Sequence, residues 1–320
     1  MTTTAHRPDT RTRTRTRTRI RTRVRSARRP APARGPRRPP RHTGRHLLLG
    51  TVSVLWLVPL LWAVYTSLRS YDDTARHGYF SLPHSFGPGN FTAAWTQSGM
   101  PHFFLNSVLV TVPAVLGTLL FSAAVAFFVT RFDFRLNLAL LMLFTAGNLL
   151  PAQVLITPLY RLYLQIPLPA WMSDSLLLYN SAWGIIVIHI AYQCGFCTFV
   201  LSNYMKTIPK EISEAALVDG APVWRQFFQI ILPLCRPAFA ALATLESIWI
   251  YNDFFWPLTL IETGDKRPVT SALANLQGQY FTNPNLIAAG ALMTAIPTLL
   301  VYFALQRQFI SGLAIGSGKG

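Results

Sequence analysis

The chain has 320 residues, 51% of them hydrophobic and only 13% charged, with a mean hydropathy of +0.32. So apolar and charge-poor a balance excludes one ordinary soluble domain and points to an all-α polytopic membrane protein. Lys and Arg number 29 against 12 Asp and Glu, but 16 of those 29 are arginines within residues 1–46, where Asp9 is the only acid. The body from Leu47 onward holds 13 basic and 11 acidic residues, so the net charge of +17 describes a tail and no nucleic-acid partner is expected. Cys194, Cys197 and Cys235 are too few, and too deeply set in apolar sequence, for a disulfide scaffold.

Residues 1–46 alternate Arg with Thr, Ile or Val and then become rich in Pro, Ala and Arg. Like charges and prolines at this density leave nothing to bury, and a disordered cytoplasmic arm beside anionic lipid headgroups is expected. A transit peptide fits poorly, because a period of two scatters arginines around a helix. A cleaved signal peptide fits no better, since the basic stretch is too long and the apolar run that follows is of spanning length.

Residues 47–68 form the first expected span. About 22 helical residues at 1.5 Å each reach roughly 33 Å, the thickness of a bilayer core. An extracytoplasmic loop, 69–104, separates it from a core over 105–309, with a short cytoplasmic tail at 310–320. Within the core, apolar runs fall at 105–130, 136–160, 183–205, 237–261 and 287–306, giving six spans. The loops with Arg131 and Arg135, with Lys206, Lys210, Arg225 and Arg236, and the end with Arg307 and Lys319 outweigh the opposite face with Arg69, Arg76, Arg161, Lys266 and Arg267. The positive-inside rule then places both termini in the cytoplasm, with or without the arginine tail.

Pro151 and Pro158 interrupt the third span, in GNLLPAQVLITPLY. A broken helix is tolerated in lipid where protein or a water-filled path satisfies the freed carbonyls. Pro151 and Gln153 are therefore candidate pathway residues, a simple packing kink being the alternative. Glu246 and Asp253 place carboxylates within the fifth span, where ionisable groups are costly and functional by default. With Tyr251 and Asn252 they complete the candidate pathway set. The neighbouring aromatics Trp249, Phe254, Phe255 and Trp256 suit sugar stacking or an interfacial belt equally.

Between the fourth and fifth spans lies a long segment of mixed polarity, 208–233, which the residue types divide into two short helices. Pro209 suits a first turn, Glu211 and Glu214 complement the positive helix N-terminus, and Gly220 can take the left-handed conformation that ends a helix. Pro222 starts a second helix, which Pro233 is expected to stop. Ile212, Ala215, Ala216 and Asp219 recur at three- and four-residue intervals, a narrow face able to press against another protein. Phe227, Ile230, Ile231 and Leu234 can root the second helix in the bundle.

The pattern Glu214-Ala215-Ala216, Gly220, then Ile230-x-Leu232-Pro233 resembles the EAA loop of ATP-binding-cassette importer permeases, complete in type and spacing. PAQVLITPLYRLY, YNDFFWPL (251–258) and the terminal LQRQFISGLAIGSGKG resemble the carbohydrate-uptake branch, especially the maltose-type permease of the second, six-span kind. The resemblance covers about 47–320. It departs at Tyr251, where Trp is common, and in a longer loop over 165–184.

The resemblance implies a six-span type I importer permease fold in the bacterial plasma membrane, moving a sugar or oligosaccharide by alternating access and catalysing nothing itself. It implies a second permease subunit, an ATPase dimer that uses ATP and Mg and docks on the EAA helices, and an extracytoplasmic solute-binding protein. No cofactor is expected on this chain. Glu214 would face a basic residue of the ATPase, Ala215 and Ala216 would allow close approach, and Gly220 would make the turn. The alternatives are the same machinery importing another solute, such as a polyol phosphate, or a membrane-embedded enzyme, disfavoured because no His, Cys and carboxylate cluster appears at one depth.

Two weaker signals carry little. Cys194-x-x-Cys197 has redox or metal spacing but lies in a span without a second such pair, and is expected to pack. The terminal GSGKG lacks the first Gly of a phosphate loop and any Ser or Thr after Lys319, so no metal or nucleotide site is expected.

Overall fold

The computed structural model of the chain describes residues 43–97, 99–133, 135–147, 150–276 and 282–317. The chain divides into two units, 1–52 and 53–320. The expectation of disorder over 1–46 lies, up to residue 42, outside the described residues. In chain order the helices are α1 (Thr43–Ser67), α2 (Tyr71–His77), α3 (Gly89–Gln97), α4 (Met100–Arg131), α5 (Asn137–Gly147), α6 (Ala152–Tyr163) and α7 (Ala182–Met205). There follow α8 (Lys210–Val218), α9 (Val223–Arg225), a π-helical stretch (Gln226–Ile231), α10 (Leu232–Leu234), α11 (Arg236–Tyr251), α12 (Phe255–Leu260), α13 (Val269–Ala272) and α14 (Pro284–Ser317). Extended pairing is confined, among the described residues, to isolated bridges such as Arg69 with Phe86.

Four of these helices, α1, α4, α7 and α14, are each long and apolar enough to cross a membrane, and the number reaches six if each of two bent pairs counts as one span. Two of the expected runs are interrupted, the first at one of these bends and the second beyond the end of α11. The run expected as one span over 136–160 is two helices, α5 and α6, because Pro151 stands in extended backbone (φ −65°, ψ 131°) at the start of α6 and lacks an N–H to continue α5. The run over 237–261 ends its helix at Tyr251, and Asp253 starts the separate α12. Both Asp253 carboxylate oxygens accept backbone N–H groups there, Oδ1 from Phe255 at 3.1 Å and Oδ2 from Trp256 at 3.2 Å.

The core of the second unit is the contact of α4 with α7, joined by α5 and α11, while α14 packs on α11 and α3. On α4 the buried residues Ala114, Thr118, Ser122 and Ala126 recur every four positions, a stripe of small side chains turned inward. Lipid is as apolar as Leu, so burial of large side chains drives no helix pairing there. Small residues let backbones approach and recover dispersion and hydrogen bonds instead. The Ser122 hydroxyl donates to the Cys194 carbonyl of α7 at 3.1 Å, and Ile185, Cys197 and Leu201 of α7 are fully buried. Cys194 and Cys197 are free, buried thiols.

The two ends of the bundle are tied differently. At one, His102 and Asn106 near the start of α4 bond the Asp265 carbonyl at 2.9 and 2.8 Å. Asn180 holds the 262–263 turn through Oδ1 and Nδ2. At the other, the ends of α4 and α7 meet the segment carrying α8 to α10.

Gly184, in the first turn of α7, sits where the Tyr163 hydroxyl donates to its carbonyl at 2.8 Å. A Cβ there would lie 2.5 Å from the Leu178 carbonyl oxygen and 3.0 Å from the Tyr163 ring. Gly184→Ala should cost about 1–3 kcal/mol through overpacking, read as a lower thermal unfolding midpoint of the detergent-solubilised protein.

Candidate coupling hairpin and pathway

The segment 208–233 folds into the two-helix hairpin its residue types require. Pro209 caps α8 with Glu211 in the first turn. The C-terminus closes as a Schellman motif: Gly220 has φ +76°, its N–H bonds Leu217 O at 3.0 Å, and the Ala221 N–H bonds Ala216 O at 2.9 Å. A residue with a Cβ is strained at that φ, which is why the turn carries glycine. Asp219 is the exposed capping residue, its N–H on Ala215 O at 3.0 Å.

The second arm departs from expectation at Pro233, which does not stop it. Helix continues through Leu234 and then turns through 76° into α11. Proline lacks a donor, and its ring collides with the carbonyl four residues back. The wider π turn over Gln226–Ile231, in which the Leu232 N–H reaches back to Phe227 O, opens the ladder just before Pro233 and makes room for it. The direction changes at Cys235, with Pro237 in the first turn of α11.

Burial separates residues that the sequence placed on one face. Glu214 and Ala215 are exposed, whereas Ala216 is buried, so Ala215 alone of the pair is presented outward. Glu214 makes no ion pair among the described residues. It lines a cleft of about 120 Å³ with Arg131, Lys210, Ser213, Leu217 and Gln226. The hairpin also exposes large apolar side chains that sequence reasoning passed over: Leu217, Val218 (87% exposed) and Trp224. Val218 directly before Asp219-Gly220 is the signal that was available, an aliphatic side chain at a helix end facing water.

The rooting of the hairpin is specific. Arg131, the last residue of α4, donates to Met205 O at 3.2 Å and to Ile208 O at 3.3 and 3.2 Å, satisfying carbonyls where α7 ends. Phe227 packs on Phe127 at 5.3 Å between ring centroids, and Ile231 is fully buried. Ile230 is half-buried, and so is Leu232. Leu234, expected among the anchors, is 44% exposed.

The candidate pathway residues divide into two groups. Glu246 is fully buried on α11 and accepts the Cys197 thiol hydrogen of α7 at Oε1, 3.1 Å, while its Oε2 has no hydrogen-bond partner among the described residues. Tyr251 is buried, donating to Thr294 O of α14 at 3.0 Å, and Asn252 is exposed, donating to Thr298 Oγ1 at 3.2 Å. Asp253 Oδ2 lies 3.4 Å from Nε2 of the buried His189, a partner the sequence could not supply because 64 positions separate the two. Pro151 and Gln153 are exposed at the start of α6 and share no hydrogen bond with the other four among the described residues.

Replacing Arg131 by Ala should leave the spans intact and free the hairpin. Loss of charge-assisted hydrogen bonds worth roughly 1.5–3 kcal/mol is expected to speed amide hydrogen exchange over 206–213 while α4 and α7 stay protected.

The family model described as "Binding-protein-dependent transport system inner membrane component" matches residues 118–313. The chain is 32% identical over 262 residues to the Bacillus subtilis "Probable ABC transporter permease protein YurM", covering 82% of this chain and 83% of that protein. It is 31% identical over 274 residues to the Streptomyces coelicolor "Diacetylchitobiose uptake system permease protein NgcG", covering 85% of this chain and 87% of the relative. In fold it matches a chain of a bacterial ABC transporter that imports the acidic polysaccharide alginate, with a TM-score of 0.69, 20% identity, and coverage of 83% of this chain and 95% of that one. With the EAA pattern standing on an ordered hairpin inside the matched region, the chain belongs to the inner membrane components of binding-protein-dependent transport systems, the permeases of ABC importers.

Proposed function

We propose that this permease moves a sugar or oligosaccharide, working with a second permease subunit, an ATPase dimer and an extracytoplasmic solute-binding protein. The substrate class rests on the NgcG relative, an uptake permease for diacetylchitobiose. Glu214, Ala215, Asp219 and Gly220, with exposed Leu217, Val218 and Trp224, form the surface gripped by the ATPase. Ala216, Ile230, Leu232 and Pro233 belong to the inner side of the same lever. The chain contributes no cofactor chemistry, and ATP and Mg act on the partner ATPase. Both termini face the cytoplasm, and the hairpin lies on that side.

The observation that carries this reading is the contrast within one short element. The outer face of α8 is exposed and partly apolar, while its root is bonded through Arg131 to the ends of two spans. A partner that moves α8 therefore moves α4 and α7. Glu246, Tyr251, Asn252 and Asp253, with Pro151 and Gln153 on α6, are the residues proposed along the solute path.

In vesicles holding the full partner set, Gly220→Pro and Glu214→Lys should both abolish uptake and the stimulation of ATP hydrolysis by sugar-loaded binding protein, with membrane insertion unchanged. Proline cannot reach φ +76°, and lysine inverts the charge offered to a basic partner. Normal uptake in both variants would overturn the lever. Stimulation by a polyol phosphate but by no sugar would overturn the substrate class.

A further inference from the structure

The segment after α1 carries a side-chain cluster to which the proposed function gives no role. Asp73 and His77 stand one turn apart on α2, and His84 returns to them from the following loop. Nδ1 of His77 lies 2.9 Å from Asp73 Oδ1, and Nδ1 of His84 lies 3.4 Å from the same oxygen. The two imidazoles stack with centroids 4.0 Å apart. One donor atom from each residue falls within 4.8 Å of the other two. Zinc bonds of about 2.0–2.2 Å to imidazole nitrogen and carboxylate oxygen in a tetrahedron put neighbouring donors roughly 3.3 Å apart. The Asp73 to imidazole spacings lie near that figure, while the two stacked rings must turn out of parallel for both Nδ1 lone pairs to reach one ion.

The carboxylate divides its work. Oδ2 accepts from Arg69 Nε at 2.7 Å and from the His84 backbone N–H at 3.2 Å, leaving Oδ1 to face both imidazoles. The Arg69 guanidinium beside Asp73 holds its carboxyl well below the usual carboxylate range. Arg69 is itself 1% exposed, and its other nitrogens bond Gly78 O at 3.1 Å, Tyr79 O at 3.3 Å and Ser81 Oγ at 2.6 Å. One buried side chain thus orients the carboxylate and fixes the path of the chain from His77 to His84, the outer support that first-rank metal ligands need. The two His side chains are 42% and 64% exposed, so a bound ion keeps a position open to water or to a donor from a partner.

We propose that Asp73, His77 and His84 bind one divalent transition cation, with Zn2+ the best match to two imidazoles and a carboxylate. Each His coordinates as the neutral tautomer, its proton on Nε2 toward solvent. His77 Nδ1 gives up its 3.2 Å contact with Asp73 O on binding. Arg69 offsets the carboxylate charge, so the affinity is moderate. The ion staples the end of α2 to the loop at 84 on the face opposite the coupling hairpin, independently of which solute is carried.

The test is titration of the full-length permease, assembled with its partner subunits in nanodiscs, with Zn2+ alone. One Zn2+ per permease is expected, weakened by His77→Ala, by His84→Ala and by the double variant by more than the roughly 10–100-fold that loss of a mere outer-shell partner costs; both are exposed sites where folding is not at stake. The X-ray absorption spectrum should show nitrogen and oxygen donors without sulfur, separating the site from Cys194, Cys197 and Cys235. Zn2+ should also slow hydrogen exchange over 78–84 in the wild type alone. Unchanged affinity in the double variant, sulfur in the spectrum, or wild-type binding only at millimolar Zn2+ would overturn the site and leave the imidazoles as hydrogen-bond donors to Asp73.

Discussion

The close approach of α4 and α7 is the contact on which the rest of the second unit depends. It is made by small side chains at every fourth position of α4, because in lipid only close backbone approach distinguishes a protein neighbour from an acyl chain. The pair reaches its end together at Arg131 and Met205, and there the guanidinium takes up carbonyls at the end of α7 and the entry to the hairpin. Force applied to α8 therefore has a short, hydrogen-bonded route into the two best-buried helices. Had α4 carried Leu in place of Ala114, Thr118, Ser122 and Ala126, the helices would stand further apart and Arg131 would fall short.

Among the described residues three breaks are met by local groups, the Tyr192 hydroxyl donating to the Leu150 carbonyl at 3.0 Å beside the first. Pro151 begins α6 instead of interrupting a longer rod. Asp253 supplies carboxylate oxygens to the free N–H groups that open α12. Pro233 is absorbed by a π turn, and the helix it was expected to stop runs on to Leu234 before turning at Cys235. Unsatisfied backbone is costly in a bilayer, so irregular geometry persists where side chains or altered ladders meet its hydrogen bonds.

Much of the hairpin could be read from residue types, because its determinants are local. Pro209, Gly220 and Pro222 act through their own φ angles and missing donors, and the Schellman closure follows from having Gly at one position. The division of Ala215 from Ala216 could not be read. Neighbouring alanines have identical chemistry, and only the direction of the bundle decides which is buried. Glu246 with Cys197 and Asp253 with His189 were likewise invisible, since pairing across helices depends on rotation about axes that a uniformly apolar sequence does not encode.

By itself the sequence determined that this is an all-helical membrane protein, where its longest spans run, and that one polar hairpin stands apart from them. Hydropathy and backbone chemistry are properties of single residues and survive without a fold. Tertiary structure decided which stripe of each span faces protein, where the third and fifth apolar runs break, and how Arg69 gathers Asp73, His77 and His84. Those outcomes depend on which distant groups come within about 3 Å of one another. A span that is apolar all round leaves that choice to packing.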